Sequence, residues 1–436
     1  MPFISSLWSV PFMGIVLSMS FLPLLCPKFW EKYAFSVPLF WSAAYLFSVG
    51  CFFGVAEILP AVVEPLLADY IPFMALIFAL YVVSGGIFVD FPGRRGPFFN
   101  TAFLFFGSVI AGWIGTTGAT ALLIRPFLRA NSGRKYTVHL PVFFIFLVAN
   151  AGGAATPLGD PPLFMGFLKG IDFFWFIRHL YLFLTCTVLL LCALFFAIDF
   201  LLFRREAAVV SVPDENKSVE FEGKINLILT AAILAAVMFC NFDGEFSLCG
   251  GKFSRSSLTR SAFLLIIALI SMKITPTGIR EKNMFSSEPI KEVAQLFAGI
   301  FITVTPIISI LHQGSNGTFG GLFDWMAPGG EFLAERCFWV SGLLSSVLDN
   351  APTFLIFFHM TAGDPGVLMT TKSHILTAFS LSTVFMGALT YIGNAPNLIV
   401  KSVSLQYGAK VPSFLGYMVW SAAVMLPILT LISRFL

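Results

Sequence analysis

The sequence of 436 residues is strongly apolar and carries almost no net charge. Hydrophobic residues make up 57% of it, charged residues 11%, and the formal net charge is +3. Soluble globular proteins carry about 25% charged residues, so a lipid bilayer must cover most of this apolar surface. The small net charge and the lack of a basic stripe predict no nucleic-acid partner.

Apolar runs long enough to cross a bilayer follow one another along the chain. The basic residues lie mainly in loops that we assign to the cytoplasm, and the loop with Glu57, Glu64 and Asp69 is expected to face outside. The histidines, His139 among them, lie mostly near span ends, where an interfacial position is expected. The predicted spans are about 7–25, 36–54, 70–90, 137–170, 173–203, 225–241, 261–273, 291–312, 373–406 and 412–434.

Two further apolar stretches, 98–128 and 331–360, are too long for one straight span. Gly-Thr-Thr-Gly at 115–118 divides the first, and Asp-Asn-Ala-Pro at 349–352 divides the second. We interpret both as re-entrant hairpins that enter and leave the membrane on one side. Such non-helical backbone is tolerated at membrane depth where protein or a water-filled cavity covers it.

The two hairpins belong to a longer internal repeat. Thr117-Gly-Ala-Thr120 aligns with Asn350-Ala-Pro-Thr353, and Thr156-Pro-Leu-Gly-Asp-Pro-Pro162 aligns with Thr390-Tyr-Ile-Gly-Asn-Ala-Pro396. Each half then has three spans, a hairpin, an interrupted span and one more span. Because five crossings are an odd number, the second half must start on the opposite face, and the halves are predicted to be inverted.

The spacing of the two motifs supports the repeat. It is 39 residues from Thr120 to Gly159 and 40 residues from Thr353 to Gly393. The predicted fold is therefore an all-α polytopic membrane protein of two inverted repeats. Its parts are 1–203 (hairpin about 98–128, broken helix about 137–170), a cytoplasmic linker at 204–224 containing Pro213 and Asp214-Glu-Asn-Lys217, and 225–436 (hairpin about 331–360, broken helix about 373–406).

Matching helix breaks in inverted repeats indicate a transporter site near the bilayer midplane. A broken helix exposes N–H groups that attract anions and carbonyls that bind cations. The candidate ion- or substrate-binding residues are Thr116, Thr117, Thr120, Thr156, Gly159, Asp160, Asp349, Asn350, Thr353, Gly393, Asn394 and Asn397.

Asp160 and Asp349 are the leading candidates for Na⁺ binding. A carboxylate at membrane depth is costly and by default indicates function. The alternative is that each caps a half-helix, since Asp before Pro, or Asp-Asn before Ala-Pro, is a good N-terminal pattern. The two interpretations are compatible, because a cap at a broken helix is also a ligand position.

Arg125 lies eight residues past the first tip. It can neutralise a carboxylate or hold an anionic substrate, but we favour a side chain that reaches to the cytoplasmic interface near Arg129. Glu288 and Glu292 are expected to begin the helix at 291–312 on the cytoplasmic surface rather than to contact substrate.

The motifs resemble those of the ion transporter superfamily, which holds divalent-anion:sodium symporters, citrate transporters, arsenite-efflux permeases and one class of sodium/proton antiporters. The resemblance implies sodium sites at the hairpin tips, a scaffold that usually dimerises and elevator-like alternating access. The tips lack the Ser-Asn-Thr of the dicarboxylate symporters. The residues that carry the resemblance are Gly115–Thr120, Ala151–Pro162, Glu288–Val293, Leu296–Phe301, Asp349–Thr353 and Gly393–Asn397.

Two functions stay open on this evidence. Two carboxylates near one site suit a Na⁺/H⁺ antiporter, which we favour. In the alternative, a Na⁺- or H⁺-coupled symporter of citrate or another dicarboxylate, the Asp residues bind the cation while Thr and Asn groups and helix N-termini hold the anion. A channel or scaffold is less consistent with the duplicated breaks.

The remaining expectations concern chemistry and location. No nucleophile–base pair or metal set indicates an enzyme, and no ATP-binding signature appears. We expect no cofactor other than Na⁺ or H⁺ as coupling ions. The expected partners are the bilayer, the transported solute and a second copy in a homodimer, in the inner membrane of a bacterium.

Overall fold

The computed structural model describes residues 6–91, 96–206, 219–240, 242, 244–248 and 251–436. The described part of the chain is helical almost throughout. Its first α-helices are Val10–Leu25 (α1), Pro27–Tyr33 (α2), Ser36–Phe53 (α3), Ile58–Pro65 (α4), Ile71–Ser84 (α5), Pro97–Ile114 (α6), Thr116–Ala130 (α7), His139–Leu147 (α8), Pro161–Leu168 (α9) and Phe173–Glu206 (α10). Short 3₁₀ segments lie at Ser6–Ser9, Val55–Glu57 and Ala151–Ala155, and a π-helical turn lies at Leu66–Tyr70.

The second part of the chain is also mostly helical. Its α-helices are Ile225–Phe239 (α11), Arg255–Ile274 (α12), Thr277–Lys282 (α13), Glu288–Thr303 (α14), Thr305–Leu311 (α15), Gly320–Met326 (α16), Ala334–Ser345 (α17), Asn350–Thr361 (α18), Pro365–Met369 (α19), Ser373–Met386 (α20), Ala395–Gln406 (α21) and Phe414–Ser433 (α22). Its 3₁₀ segments are Gly314–Asn316, Pro328–Gly330 and Gly387–Leu389.

Two short antiparallel ribbons complete the described structure. Phe88–Asp90 (β1) pairs with Glu220–Glu222 (β2), and Glu245–Leu248 (β3) pairs with Gly251–Ser254 (β4). The first ribbon joins the end of the third predicted span to the start of the second half. Pro213 and Asp214–Lys217 of the predicted linker lie outside the described residues.

The described part of the chain has six helices long and apolar enough to cross a membrane, and seven if the pair α14 and α15, bent by 45°, counts as one span. Large apolar side chains such as Phe47 and Phe52 are 73% and 77% exposed, which a lipid environment makes favourable. The all-α polytopic membrane fold is confirmed. The six helices are Ser36–Phe53, Val55–Ser84, Pro97–Ile114, Phe173–Glu206, Arg255–Ile274 and Phe414–Ser433.

The prediction for the third span was wrong at both ends. The helix runs from Val55 to Ser84, through the π-helical turn, so Glu57, Glu64 and Asp69 belong to a helix and not to a loop. Apolar residues lie between these acids. Asp69 forms an ion pair with Lys169 at 2.7 Å, and this ion pair stabilises its charge within the helix.

The predicted hairpins correspond to two pairs of consecutive helices. The helices α6 and α7 meet at Gly115, whose φ of 83° favours glycine. The helices α17 and α18 are separated by residues 346–349. Because α6 alone has 18 residues and is long enough to cross a membrane, the re-entrant path stays a prediction.

Both predicted broken helices are interrupted where the sequence placed the break. Between α8 and α9 lie a 3₁₀ segment and the non-helical residues 156–160, and between α20 and α21 lie a 3₁₀ segment and residues 390–394. All of α8 and nearly all of α20 are buried. The freed backbone groups therefore lie inside the protein, as non-helical backbone at membrane depth requires.

Candidate functional site

One buried carboxylate, that of Asp160, joins all four breaks of the chain. The residue is 2% exposed. Thr116 Oγ1 donates a hydrogen bond to Oδ1 at 2.7 Å, Asn394 Nδ2 donates to the same oxygen at 3.4 Å, and Asn350 Nδ2 donates to Oδ2. Thr116 and Asn350 begin α7 and α18, while Asp160 and Asn394 directly precede α9 and α21. The structure thus brings four of the predicted site residues into contact.

The partners of Asp160 are all uncharged. They are one hydroxyl and two amides, and within the described ranges no Lys, Arg or His forms an ion pair with this carboxylate. Burying an ionised carboxylate without a counter-charge costs several kcal/mol in order of magnitude. A proton or a bound cation at Asp160 would remove this cost.

Two threonines tie the two helix breaks to neighbouring helices in the same way, one to α6 and the other to the end of α17. Thr156 Oγ1 donates to the carbonyl of Gly112 at 2.5 Å, and Thr390 Oγ1 donates to the carbonyl of Ser346 at 2.6 Å. Both bonds span 44 residues. Thr156 and Thr390 thus donate their hydroxyl protons to backbone carbonyls and stabilise the conformation of the breaks.

Asn397 is also engaged in fixing a break. Its Nδ2 donates to the carbonyls of Gly387 and Thr390 at 2.8 and 3.0 Å, and its Oδ1 accepts from Asn150 Nδ2 at 2.7 Å. Asn150 Oδ1 in turn accepts from Asn394 at 3.2 Å. Sequence reasoning missed Asn150, although an amide at the end of the apolar run 140–149 is a signal for such a contact.

The other predicted hydroxyl ligands differ in their surroundings. Thr120 Oγ1 is buried and has no hydrogen-bond partner among the described residues. Thr353 Oγ1 donates to the backbone carbonyl of Asp349 at 3.1 Å, within its own helix. Thr117 faces a large cavity. Of these three, Thr120 is the one whose oxygen is left free in the interior.

The two predicted glycines stand where backbone segments approach closely. The carbonyl of Gly159 accepts from the amide of Thr116 at 2.8 Å. A Cβ on Gly159 would lie 2.3 Å from the carbonyl oxygen of Gly153, and one on Gly393 would lie 2.7 Å from that of Gly387. Both positions exclude a side chain, so their role is to allow the two halves of each broken helix to pack.

A cavity of about 640 Å³ lies beside the tips. Asp349 and Thr117 line it, and so do Arg125, Glu288 and Glu292. Arg125 lines this cavity, as its alternative role near a carboxylate or an anion would require, and its predicted reach to the cytoplasmic interface stays a prediction. Both glutamates are largely exposed at the start of α14, as expected for residues at a helix N-terminus.

A second group of buried charges was not predicted. Asp199 is fully buried and accepts from Arg134 Nη1, from Asn100 Nδ2 at 2.9 Å and contacts His139 Nε2 at 2.9 Å. Arg134 also bonds Glu206 at 3.3 Å. His139 is 1% exposed, so its side chain lies inside the protein; its predicted position at the level of the membrane interface stays a prediction. A lone Asp within the apolar run 188–203 was the signal.

The arrangement is that of a membrane transporter, with helix breaks that meet around a buried carboxylate beside a large cavity. Residues 2–436 match the family described as "Putative citrate transport". The chain belongs to this citrate-transport family, consistent with the superfamily that the motifs resemble. It is also 25% identical over 308 residues to a "46 kDa membrane protein" of Mycobacterium leprae (strain TN), a match that covers 67% of this chain and 66% of that protein.

Proposed function

We propose that this membrane transporter is driven by a cation, Na⁺ or H⁺, that binds at Asp160. The observation that carries the proposal is the burial of Asp160 among Thr116, Asn350 and Asn394 without a cationic side chain. A proton or a Na⁺ ion is the missing positive charge. Since either ion satisfies the same carboxylate, they compete, and competition at one site is what Na⁺/H⁺ antiport needs.

The side chains around Asp160 can serve both ions. With no metal bound, Thr116 and the two amides donate hydrogen bonds to the carboxylate. Asn350 Oδ1 is buried without a hydrogen-bond partner in the described structure, and the two ends of an amide are nearly indistinguishable in shape. A half-turn of the amide would give Na⁺ the Asn350 oxygen, an Asp160 oxygen and the Thr116 hydroxyl. Oxygen ligands of this kind suit a hard cation.

Asp349 adds a second carboxylate next to Asn350. It lies at the wall of the cavity, so an ion can reach it before Asp160. We infer that Asp349 receives the cation from the cavity and that Asn350 connects the two carboxylates. This supports Na⁺/H⁺ antiport as the leading form of the proposal.

Cation-coupled symport of citrate or another organic anion is the second candidate. A cavity of about 640 Å³ is in the size range of small-molecule sites, roughly 300–1,000 Å³, and exceeds what a single ion needs. The description of the family points the same way. In this case the cation at Asp160 drives uptake of the anion.

One experiment separates the two candidates. The purified protein is reconstituted in liposomes, and internal pH is recorded on adding Na⁺, with and without citrate or succinate. Proton movement driven by Na⁺ without a carboxylate supports antiport. Uptake of labelled carboxylate that requires Na⁺, with no proton exchange in its absence, rules antiport out and supports symport.

We also propose the inner membrane of a bacterium as the location and a homodimer as the assembly. The apolar side chains left exposed on α3, such as Phe47 and Phe52, suit either lipid or a second copy. Cross-linking in membranes at two α3 positions, compared with positions on α22, tests the dimer, and monomeric migration at every position would contradict it.

A further inference from the structure

Arg125 is the one basic residue among the described residues that line the cavity. It lies on α7, on the same helix as Thr117 but two turns further from the tip. Its Nη1 donates to the carbonyl of Ala121 at 3.2 Å, which holds the side chain along its own helix. The guanidinium is thereby placed at the wall of the cavity without contact to the Asp160 site.

The charge of Arg125 has no acidic partner. No carboxylate of the described residues forms an ion pair with it, and its Nε is buried without a hydrogen-bond partner. Asp349 lines the same cavity but does not pair with it. A guanidinium presents its N–H donors in a fixed fork that matches a carboxylate. An unpaired guanidinium in a largely apolar cavity is therefore a site for an anion.

The other residues of the cavity wall limit the shape and the charge of the anion that can bind. Phe297, Ile300 and Ile399 are among its apolar lining residues, so it favours a hydrocarbon or aromatic body. Glu288, Glu292 and Asp349 add three acidic groups against one basic group. Glu288 and Glu292 are exposed, but each further carboxylate on a ligand would still meet like charge and lack a cationic partner.

We propose that Arg125 anchors an anion site in this cavity and that the site takes an organic monocarboxylate with an apolar body. The carboxylate pairs with the Arg125 fork, and the body packs against the apolar wall. This inference deepens the symport form of the proposed function by naming the anchor and the charge of the anion. It does not depend on which cation binds at Asp160.

The test measures binding by the full-length protein in lipid nanodiscs, without Na⁺. Thermal unfolding is followed against the concentration of hexanoate, with acetate, hexan-1-ol and citrate as comparisons at equal ionic strength. Hexanoate is expected to stabilise the protein saturably and to bind more tightly than each of the other three. Arg125→Gln should weaken hexanoate binding at least about tenfold, the loss expected for one charge-assisted contact, and Arg125→Lys by less.

Two controls separate the effect of Arg125 from that of other arginines and from that of the cation site. Arg205→Gln removes an exposed arginine at the end of α10 and should leave hexanoate binding unchanged. Asp160→Asn is compared with the double variant Asp160→Asn/Arg125→Gln. If Arg125→Gln still weakens hexanoate binding in the Asp160→Asn background, the result supports the anion site even if the cation proposal fails.

A second measurement uses the wild-type protein, so the proposal can be tested even if the Arg125 variants do not fold. Phenylglyoxal modification of Arg125, followed by mass spectrometry of its peptide, should be slowed by hexanoate, while modification of Arg205 should not. Equal hexanoate affinity in the wild type and Arg125→Gln, or unprotected modification of Arg125, would overturn the proposal. Citrate binding that is tighter than hexanoate binding and depends on Arg125 would overturn its limit to a single carboxylate.

Discussion

The side-chain amide of Asn350 donates a hydrogen bond to the carboxylate of Asp160, although 190 residues separate them in the chain. One residue belongs to the first half of the protein and the other to the second. Neither half contains the site alone, because Thr116 and Asn394 reach the same carboxylate from opposite halves. The chemistry at Asp160 therefore depends on the packing of the two halves.

Asp160→Asn should abolish cation-driven transport and leave the protein folded. An amide is close in shape to the carboxylate and removes a buried charge that has no charged partner, so the free energy of unfolding should stay equal or rise. Transport in liposomes and thermal unfolding with and without Na⁺ measure the two effects. Transport near the wild-type rate would contradict the assignment of the cation site.

Asp199→Asn provides the matched comparison, because Asp199 is also a buried carboxylate in the first half. Here Arg134 and His139 surround it, so the substitution leaves a buried guanidinium with one carboxylate fewer. We expect a loss of about 3 kcal/mol in the free energy of unfolding, the order found when one partner of a buried pair is removed. Denaturant unfolding measures it. An unchanged stability would show that Glu206 alone compensates Arg134.

Thr156→Val and Thr390→Val should have similar effects, since each hydroxyl donates to a carbonyl 44 residues earlier. Each substitution leaves buried backbone groups without a partner and should cost about 1–3 kcal/mol. Thr156→Ser and Thr390→Ser keep the hydroxyl and should lose much less. Thermal unfolding of the four variants checks the pairing, and opposite behaviour of the two sites would refute their equivalence.

Gly152→Ala should destabilise the contact between the first break and α6. A Cβ at Gly152 would lie 2.3 Å from the carbonyl oxygen of Ser108, so backbone must move. Overpacking of this kind costs about 1–3 kcal/mol. Gly321→Ala is the control, because nothing lies within 4 Å of its added Cβ, and a helical Ala is expected to be neutral or slightly stabilising. Equal stability of the two variants would contradict the close approach.

Composition and local pattern were sufficient to predict the membrane class and the positions of both helix breaks. The break after residue 155 followed from Gly and Pro around Asp160, and the break after residue 389 from the same pattern around Asn394. These signals are local, because a Pro or Gly acts on its own stretch of backbone. The inverted order of the halves stays a prediction.

Contacts between distant segments were not predictable in the same way. The pairing of Asp199 with Arg134 and the bond from Asn150 to Asn397 join residues 65 and 247 positions apart, a separation that no periodicity reports. The helices at the two tips begin at Thr116 and Asn350, whereas the predicted alignment pairs Thr117 with Asn350. Helix starts are set by backbone hydrogen bonds, which local sequence locates only approximately.

The helix α10 is longer than the membrane is thick. Its 34 residues extend about 51 Å at about 1.5 Å per residue, against a hydrocarbon layer of about 30 Å. Even with a moderate tilt, part of the helix must lie outside the hydrocarbon, and we expect that part to include its charged C-terminal turns. Asp199 and Glu206 lie on those turns. The length of the helix would thus place its charged end among the headgroups, where an ionised group costs far less free energy than in the hydrocarbon.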